Sequence, residues 1–397
     1  MNSFSFSRKF NDSHFFSEHS KLMSLKSKLE SQGLNDLVRT NPNSLGLSFP
    51  NHLLTHHVSE LELSSYDPNP KGSEATRLAI WESVQKKGGH GSPHDLILTS
   101  STSEAISFIL KMLTNPGDEI LVPAPGYPLF ESIAALENVR VIEYPLVEHQ
   151  LGDWQYSLDS IQERYSTKTK LVVFVSPSNP TGSILQANEW RNICQWSKQT
   201  KIPLLVDEVF ADYFFSKYES QYFYPQQSEF LSFVINGISK SLALPQWKLA
   251  WIHVQGEETL KQKAISSLEL IADTYLSVNS TIQKLLPNLL RWSPLVQNQI
   301  RNRLSRNLFF LEELFGEDTN WKIHITKAGW HLCIEHLGSL YTHSEDLCIE
   351  ILKKTKVFCH PGEWYSFPKD RMVMVLSLLV PEEEFQSGMR ELKSFFK

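Results

Sequence analysis

A chain of 397 residues, 41% hydrophobic and 21% charged, can bury a large core in two domains and has an ordinary globular balance. Its net charge of -6 comes from signs mixed along the chain, and no basic block of the kind that grips nucleic acid or a membrane surface is present. Cys194, Cys333, Cys348 and Cys359 are widely spaced without a CxxC, which speaks against a zinc knuckle or a secreted disulfide framework. The start, "MNSFSFSRKFNDSHFF", lacks a continuous apolar leader core, and no apolar run approaches the ~20 residues of a membrane span. A reducing cytoplasm is the expected compartment.

In chain order, an N-terminal arm carries a helix candidate around "SEHSKLMSLKSKLESQG". Short apolar runs then alternate with helical patterns. The strand-like runs are "DLILTS" (95–100), "EILVPAP" (119–125), "VRVIEYPL" (139–146), "KLVVFVSPS" (170–178), "IPLLVDEV" (202–209), "FLSFVI" (230–235) and "LAWIHV" (249–254). Several are apolar at consecutive positions, as in strands covered on both faces. Between them, "STSEAISFILKMLTNPGD" combines a Ser/Thr cap, apolar Ile106, Ile109, Leu110 and Leu113, and an Asn-Pro-Gly stop. "QANEWRNICQWSKQTK" (186–201) is a second helix candidate. The alternation predicts an α/β fold with a mostly parallel seven-stranded sheet covered by helices.

From residue 293 the texture changes. Ile300, Leu304, Leu308 and Leu311 in "SPLVQNQIRNRLSRNLFFLEELFG" recur at helical spacing and predict a long amphipathic helix. "KIHIT", "HLCIEHL", "KVFCHPG" and "MVMVLSLL" then read as strands and "EEEFQSGMRELKSFF" as a closing helix, together a smaller α+β unit. The expected division is an arm over 1–50 packing with the small unit, a large ligand-binding unit over 51–290 and a small unit over 291–397.

Ligands of open α/β sheets bind at the carboxyl ends of the strands, and four unusual segments fall there. "TSSTSEA" (99–105) offers amides and hydroxyls at a helix N-terminus, a natural anion seat. "PAPGYPLF" (123–130) sets Tyr127 in a Pro/Gly turn, "SPSNPTG" (176–182) places Asn179 before a proline, and "VDEVFADY" (206–213) ends a strand with Asp207. Singly, each reads as a helix cap or a turn. A fifth segment, "NGISKSLALPQWKLAW" (236–251), puts Lys240 at the exit of a buried strand, where desolvation opposes its charge.

The five in this order resemble the class I/II aminotransferases of fold type I, over nearly the whole chain from "YDPNPKGSEATRLAI" to "HPGEWY". The resemblance implies pyridoxal 5'-phosphate as cofactor and Lys240 as the lysine that holds it in an internal aldimine and later moves the substrate proton. It implies Asp207 for the pyridine nitrogen, Asn179 for the phenolic oxygen and Tyr127 for stacking on the ring. The Ser101 and Thr102 amides, Ser239 and Lys248 fall to the phosphate. Tyr66 resembles a tyrosine that reaches the neighbouring subunit's phosphate, which implies a homodimer with shared sites.

Three positions depart from the family pattern. Phe210 stands where a tyrosine usually donates to the phenolic oxygen, so a raised imine pKa and a yellow, protonated resting form are expected; Tyr213 is a potential substitute. Lys248 replaces an arginine, keeping the charge without the bidentate fork. Val375 in "MVMVLSLL" occupies the place of the arginine that clamps the substrate carboxylate; Arg371, four residues earlier, reads as a solvated turn residue. The substrate is then either an ordinary amino acid held by another group, which needs fewer changes, or an amine without that contact.

Trp247 and Trp251 read as packing and His360 as structural, while Trp330 lies where the small unit faces the substrate in the family. The leading function is a ping-pong transaminase acting between an amino acid and an oxo acid. The alternatives are a lyase eliminating at Cβ, such as one cleaving carbon–sulfur bonds, and a non-enzymatic sensor. The sensor is disfavoured by the intact Lys240, Asp207 and Asn179 and by the absence of a basic recognition helix ahead of Tyr66.

Overall fold

The computed structural model describes residues 20–62, 64–276, 278–338 and 341–396. The opening sixteen residues, read above as lacking a leader, and the first part of the arm lie outside the described residues. No described helix is long and apolar enough to cross a membrane.

All seven apolar runs become strands of one sheet: β1 (Leu96–Thr99), β2 (Glu119–Ala124), β3 (Arg140–Pro145), β4 (Thr169–Val175), β5 (Leu204–Asp207), β6 (Ser232–Gly237) and β7 (Ala250–Gln255). Their order is β1-β7-β6-β5-β4-β2-β3. β7 runs antiparallel to both its neighbours, and the other pairs are parallel. The continuous apolar runs fit this topology: β1, β5 and β6 are buried at every position, because helices cover both faces. The Thr102–Leu113 helix lays Ile106, Ile109 and Leu110 on one face and the Ala187–Thr200 helix lays Trp190, Ile193 and Trp196 on the other. Helices Asn51–Ser59, Glu74–Lys86, Glu258–Tyr275 and Ser280–Arg291 complete this part of the chain.

The long helix predicted from residue 293 spans Ser293–Phe315, with Ile300, Leu304 and Leu311 buried. It leads to a four-stranded antiparallel sheet of β8 (Trp321–Ile323), β9 (His331–His336), β10 (His360–Pro361) and β11 (Val373–Ser377), ordered β8-β9-β11-β10. In the arm, the Lys21–Leu29 helix leads to Asn35–Asp36, which pairs in parallel with Val357–Phe358 beside this second sheet.

Candidate active site

Register explains why residues far apart in sequence meet. Asp207 at the end of β5 lies opposite Val175 on β4 and Ile235 on β6. The loop after β4 carries Asn179 and the one after β6 carries Lys240, so all three groups leave one edge of the sheet. The Ser176 amide bonds the Asp207 carbonyl at 3.0 Å, tying the first loop to the central strand. One step along, Thr99, Ala250 and Gly237 form a single row across β1, β7 and β6. Ser101, Lys248 and Ser239 each lie two residues from that row and therefore gather at the same edge.

Lys240 sits on a one-turn helix, Ile238–Ser241, and is part-buried. Its Nζ lies 4.9 Å from the Trp330 ring and 5.8 Å from the Phe210 ring. Burial lowers the pKa of its ammonium to about 8, against the opposing pull of Asp207. Asp207 is buried; its Oδ1 accepts from the Val209 amide at 3.0 Å. Burial raises its pKa to about 6, while the Val209 amide and Lys240 hold it from rising further. Near neutral pH the site thus joins an anionic carboxylate to an amine within reach of its free-base form.

Asn179 is buried, its Oδ1 has no protein partner, and no described hydrogen bond uses its Nδ2. A buried amide with both ends uncommitted needs a polar occupant. Leaving the same sheet edge as a buried carboxylate and an amine of depressed pKa, it suits a polar ring bearing a nitrogen and a hydroxyl. Ser101 caps the Thr102–Leu113 helix through the Glu104 amide at 3.1 Å, leaving the Ser101 and Thr102 amides without a described partner at a twelve-residue helix N-terminus. These residues fit pyridoxal phosphate. Lys248 is exposed at φ +52, and Ser239 is part-buried. Tyr127 is 46% exposed at the mouth, next to Tyr365, while Tyr66 stands 66% exposed with no described ring contact.

The second sheet supplies the opposite wall. Gly182 takes φ +67 and presses on Thr326, where a Cβ would come within 2.5 Å of Cγ2, so the "SPSNPTG" loop meets this part of the chain only with glycine there. Cys333 Sγ reaches the Pro180 carbonyl at 3.7 Å. Trp330 is fully buried, edge-on to Phe210 at 5.5 Å and Tyr213 at 5.2 Å, with Nε1 unpartnered.

Two readings change here. Arg371 is not a solvated turn residue: Nη1 lies 2.6 Å from Glu148 Oε2 and Nε 2.7 Å from Glu335 Oε1, with Lys322 and His324 joining the same carboxylates. Two carboxylates separated in sequence converge on it, which a linear reading cannot show. Tyr213 does not substitute for the missing tyrosine, because its hydroxyl donates to the Lys240 backbone carbonyl at 2.5 Å. Trp251 is core and Trp247 packs against it. His331, near Lys240 and His360, escaped the sequence reading. The alternation His331, Cys333, Glu335 along one strand face was its only signal.

A family model described as aminotransferase class I and II matches residues 63–375. The chain is 30% identical over 251 residues to tyrosine aminotransferase of Dictyostelium discoideum, covering 62% of this chain and 58% of that one. It is 24% identical over 367 residues to glutamate-pyruvate aminotransferase AlaA of Haemophilus influenzae, covering 87% and 88%. Among solved structures, alanine aminotransferase from Pyrococcus furiosus shares the fold at TM-score 0.89 and 20% identity, over 98% of this chain and 99% of that one.

Proposed function

Because this chain belongs to the class I and II aminotransferases, a family dependent on pyridoxal 5'-phosphate, we propose that it exchanges an amino group between an amino acid and a 2-oxo acid in two half-reactions. The observation that carries this reading is a lysine at the sheet edge whose pKa burial lowers to about 8, beside the buried Asp207. A structural lysine would stay charged and paired; among the described residues no ion pair within 4.0 Å involves Lys240, which feels Asp207 only at longer range.

Bound here, pyridoxal phosphate supplies a carbonyl carbon and a ring that draws electrons from the substrate. Lys240 would hold the cofactor through that carbonyl carbon and, as a free amine, would act as the base for the proton on substrate Cα. Asp207, anionic above about pH 6, would pair with the cofactor's ring nitrogen and keep it protonated. Asn179 would bond the ring hydroxyl and Tyr127 would cover the ring face. The Ser101 and Thr102 amides, Ser239 and Lys248 would hold the phosphate. Trp330 and Phe210 keep water from the amine. The exposed Tyr66 supports a homodimer in which it completes the partner's phosphate site. The division into an arm, a unit over 51–290 and a unit over 291–397, and a cytoplasmic setting, belong to the same proposal.

Borohydride reduction of the holoprotein followed by peptide mapping tests it: label on Lys240 is the expected result, and label elsewhere rejects the reading. Ammonia release from amino acids without 2-oxoglutarate would indicate an eliminating lyase.

A further inference from the structure

The wall opposite Lys240 raises a question of charge. A carboxylate brought against it needs a counter-charge or several donors, since burying it unpaired costs many kcal/mol. Four of the described cations of this region are already engaged. Arg371 is held by Glu148 and Glu335, Lys322 by Glu148, Lys327 by Asp153 at 2.6 Å, and Lys26 by Asp36 at 2.7 Å. Val375 lies between Cys333 and His360 in the strand register and offers only methyl groups. Two imidazoles on this wall have no such commitment.

We propose, on the reading given above, that His331 and His360 seat the substrate carboxylate, and that a solvent proton enters with it to make the pair cationic. The only bonds that change are those of the proton: an N–H bond forms on one imidazole as an O–H bond of hydronium breaks, so the carboxylate brings one negative charge and the pair gains one positive charge. The placement supports this. His331 sits on β9 beside Trp330, edge-on to Phe210 at 5.8 Å, and feels the charges of both Lys240 and His360. His360 sits on β10 across from Val375; its Nδ1 shares a 2.9 Å hydrogen bond with Tyr365 OH, which fixes the ring. The groups facing His331 are Lys240, His360 and the Phe210 ring. Those facing His360 are His331, Tyr365, Trp364 and Phe358, and it also feels the charges of Asp36 and Lys26 of the arm.

Burial keeps both rings neutral in the free protein, with pKa values of about 3 for His331 and about 4 for His360. In His331, the neighbouring Lys240 and His360 push the same way; in His360, Asp36 and Lys26 oppose each other. A carboxylate within hydrogen-bonding reach reverses that balance by favouring the charged ring. Carboxylate affinity therefore falls as pH rises, because each binding event must draw a proton from a scarcer supply.

The test uses the holoprotein with L-alanine, L-glutamate and L-tyrosine, each beside its carboxamide, following the loss of the cofactor's visible band from pH 6 to 9. The acid-to-amide ratio, corrected for each compound's own amine titration, should be at least about 10 at pH 6 and decline as pH rises. His331→Gln and His360→Gln should raise the half-saturating concentration of the acids about 10- to 100-fold, keep the limiting rate within about threefold and leave the amides unchanged. His360→Arg should restore acid binding and flatten its pH dependence. A ratio independent of pH in the unaltered protein overturns the inference, as do variants that lose acids and amides equally. If a variant fails to take up cofactor, the unaltered protein's ratio decides. Bleaching with a flat ratio leaves the transaminase reading standing, whereas no bleaching by any of the six compounds removes both.

Discussion

The hydroxyl of Tyr213 donates to the backbone carbonyl of Lys240 at 2.5 Å, from a side chain 1% exposed and wedged against Trp330. The second-sheet wall and the lysine turn thus share a fixed contact behind the reactive amine. Tyr213→Phe removes the donor but keeps the packing. The Ala243 amide, at 3.3 Å, remains as a weak partner for that carbonyl. The expected loss is about 1 kcal/mol of stability, with a several-fold slower amine-transfer half-reaction and little change in cofactor affinity. Thermal melts and stopped-flow traces of the same preparation check it.

Lys240→Ala should retain cofactor non-covalently through the groups around phosphate and ring, and lose the borohydride-fixable link. The proton transfer at substrate Cα should slow by about 10²- to 10⁴-fold, as for loss of a positioned base. Rapid mixing with L-alanine, L-glutamate and L-tyrosine reads the rate, and an unchanged rate rules out the role.

Phe210 is buried edge-on to Trp330 and His331 and offers the ring oxygen no donor. The holoprotein should therefore stay yellow at pH 7. Phe210→Tyr adds a hydroxyl able to stabilise the deprotonated form, so the colour transition should move to lower pH. A spectral titration of both proteins decides; an unshifted transition shows that the new hydroxyl does not reach the ring.

Glu208, next to Asp207 but on the other side of the strand, is buried against Lys87, Asp212 and Tyr222. Burial, reinforced by Asp212 and Asp207, raises its pKa from 4.5 to about 8 against the pull of Lys87 and Tyr222. The folded state therefore holds a proton that the unfolded state has released between those values. This group's contribution is complete below pH 4.5 and is lost as pH climbs through 8. Glu208→Gln should flatten the decline of the apoprotein's melting temperature between pH 5 and 8. An identical slope in the variant would show that the carboxyl is ionised throughout.

Arg371 holds two carboxylates together, and Glu335 stays near a pKa of 2 because the hydrogen bonds of Arg371 and His324 outweigh burial. Arg371→Ala leaves Glu335 part-paired through Lys322 and His324. The cost should be about 2–3 kcal/mol, below the 3–5 typical of a fully stranded buried charge. Urea denaturation measures it. The half-saturating concentration of the amino acid should stay within about twofold, because this guanidinium faces protein carboxylates; a tenfold rise would place it on the substrate.

The seven strands of the main sheet, the long helix from residue 293 and the five loop segments were legible in the sequence. Each depends on local physics: runs of apolar residues that must be covered, turn residues and caps. Lys240 was conspicuous because an ammonium at the end of a buried strand demands a reason. What the order of residues could not disclose was pairing across the molecule. Arg371 gained its carboxylates and Tyr213 lost its freedom to face the ring only when distant parts of the chain closed on one edge, and His331 came near His360 only through the register of the second sheet. Side-chain partners at such separations follow from strand register and packing, and these are properties of the folded chain as a whole.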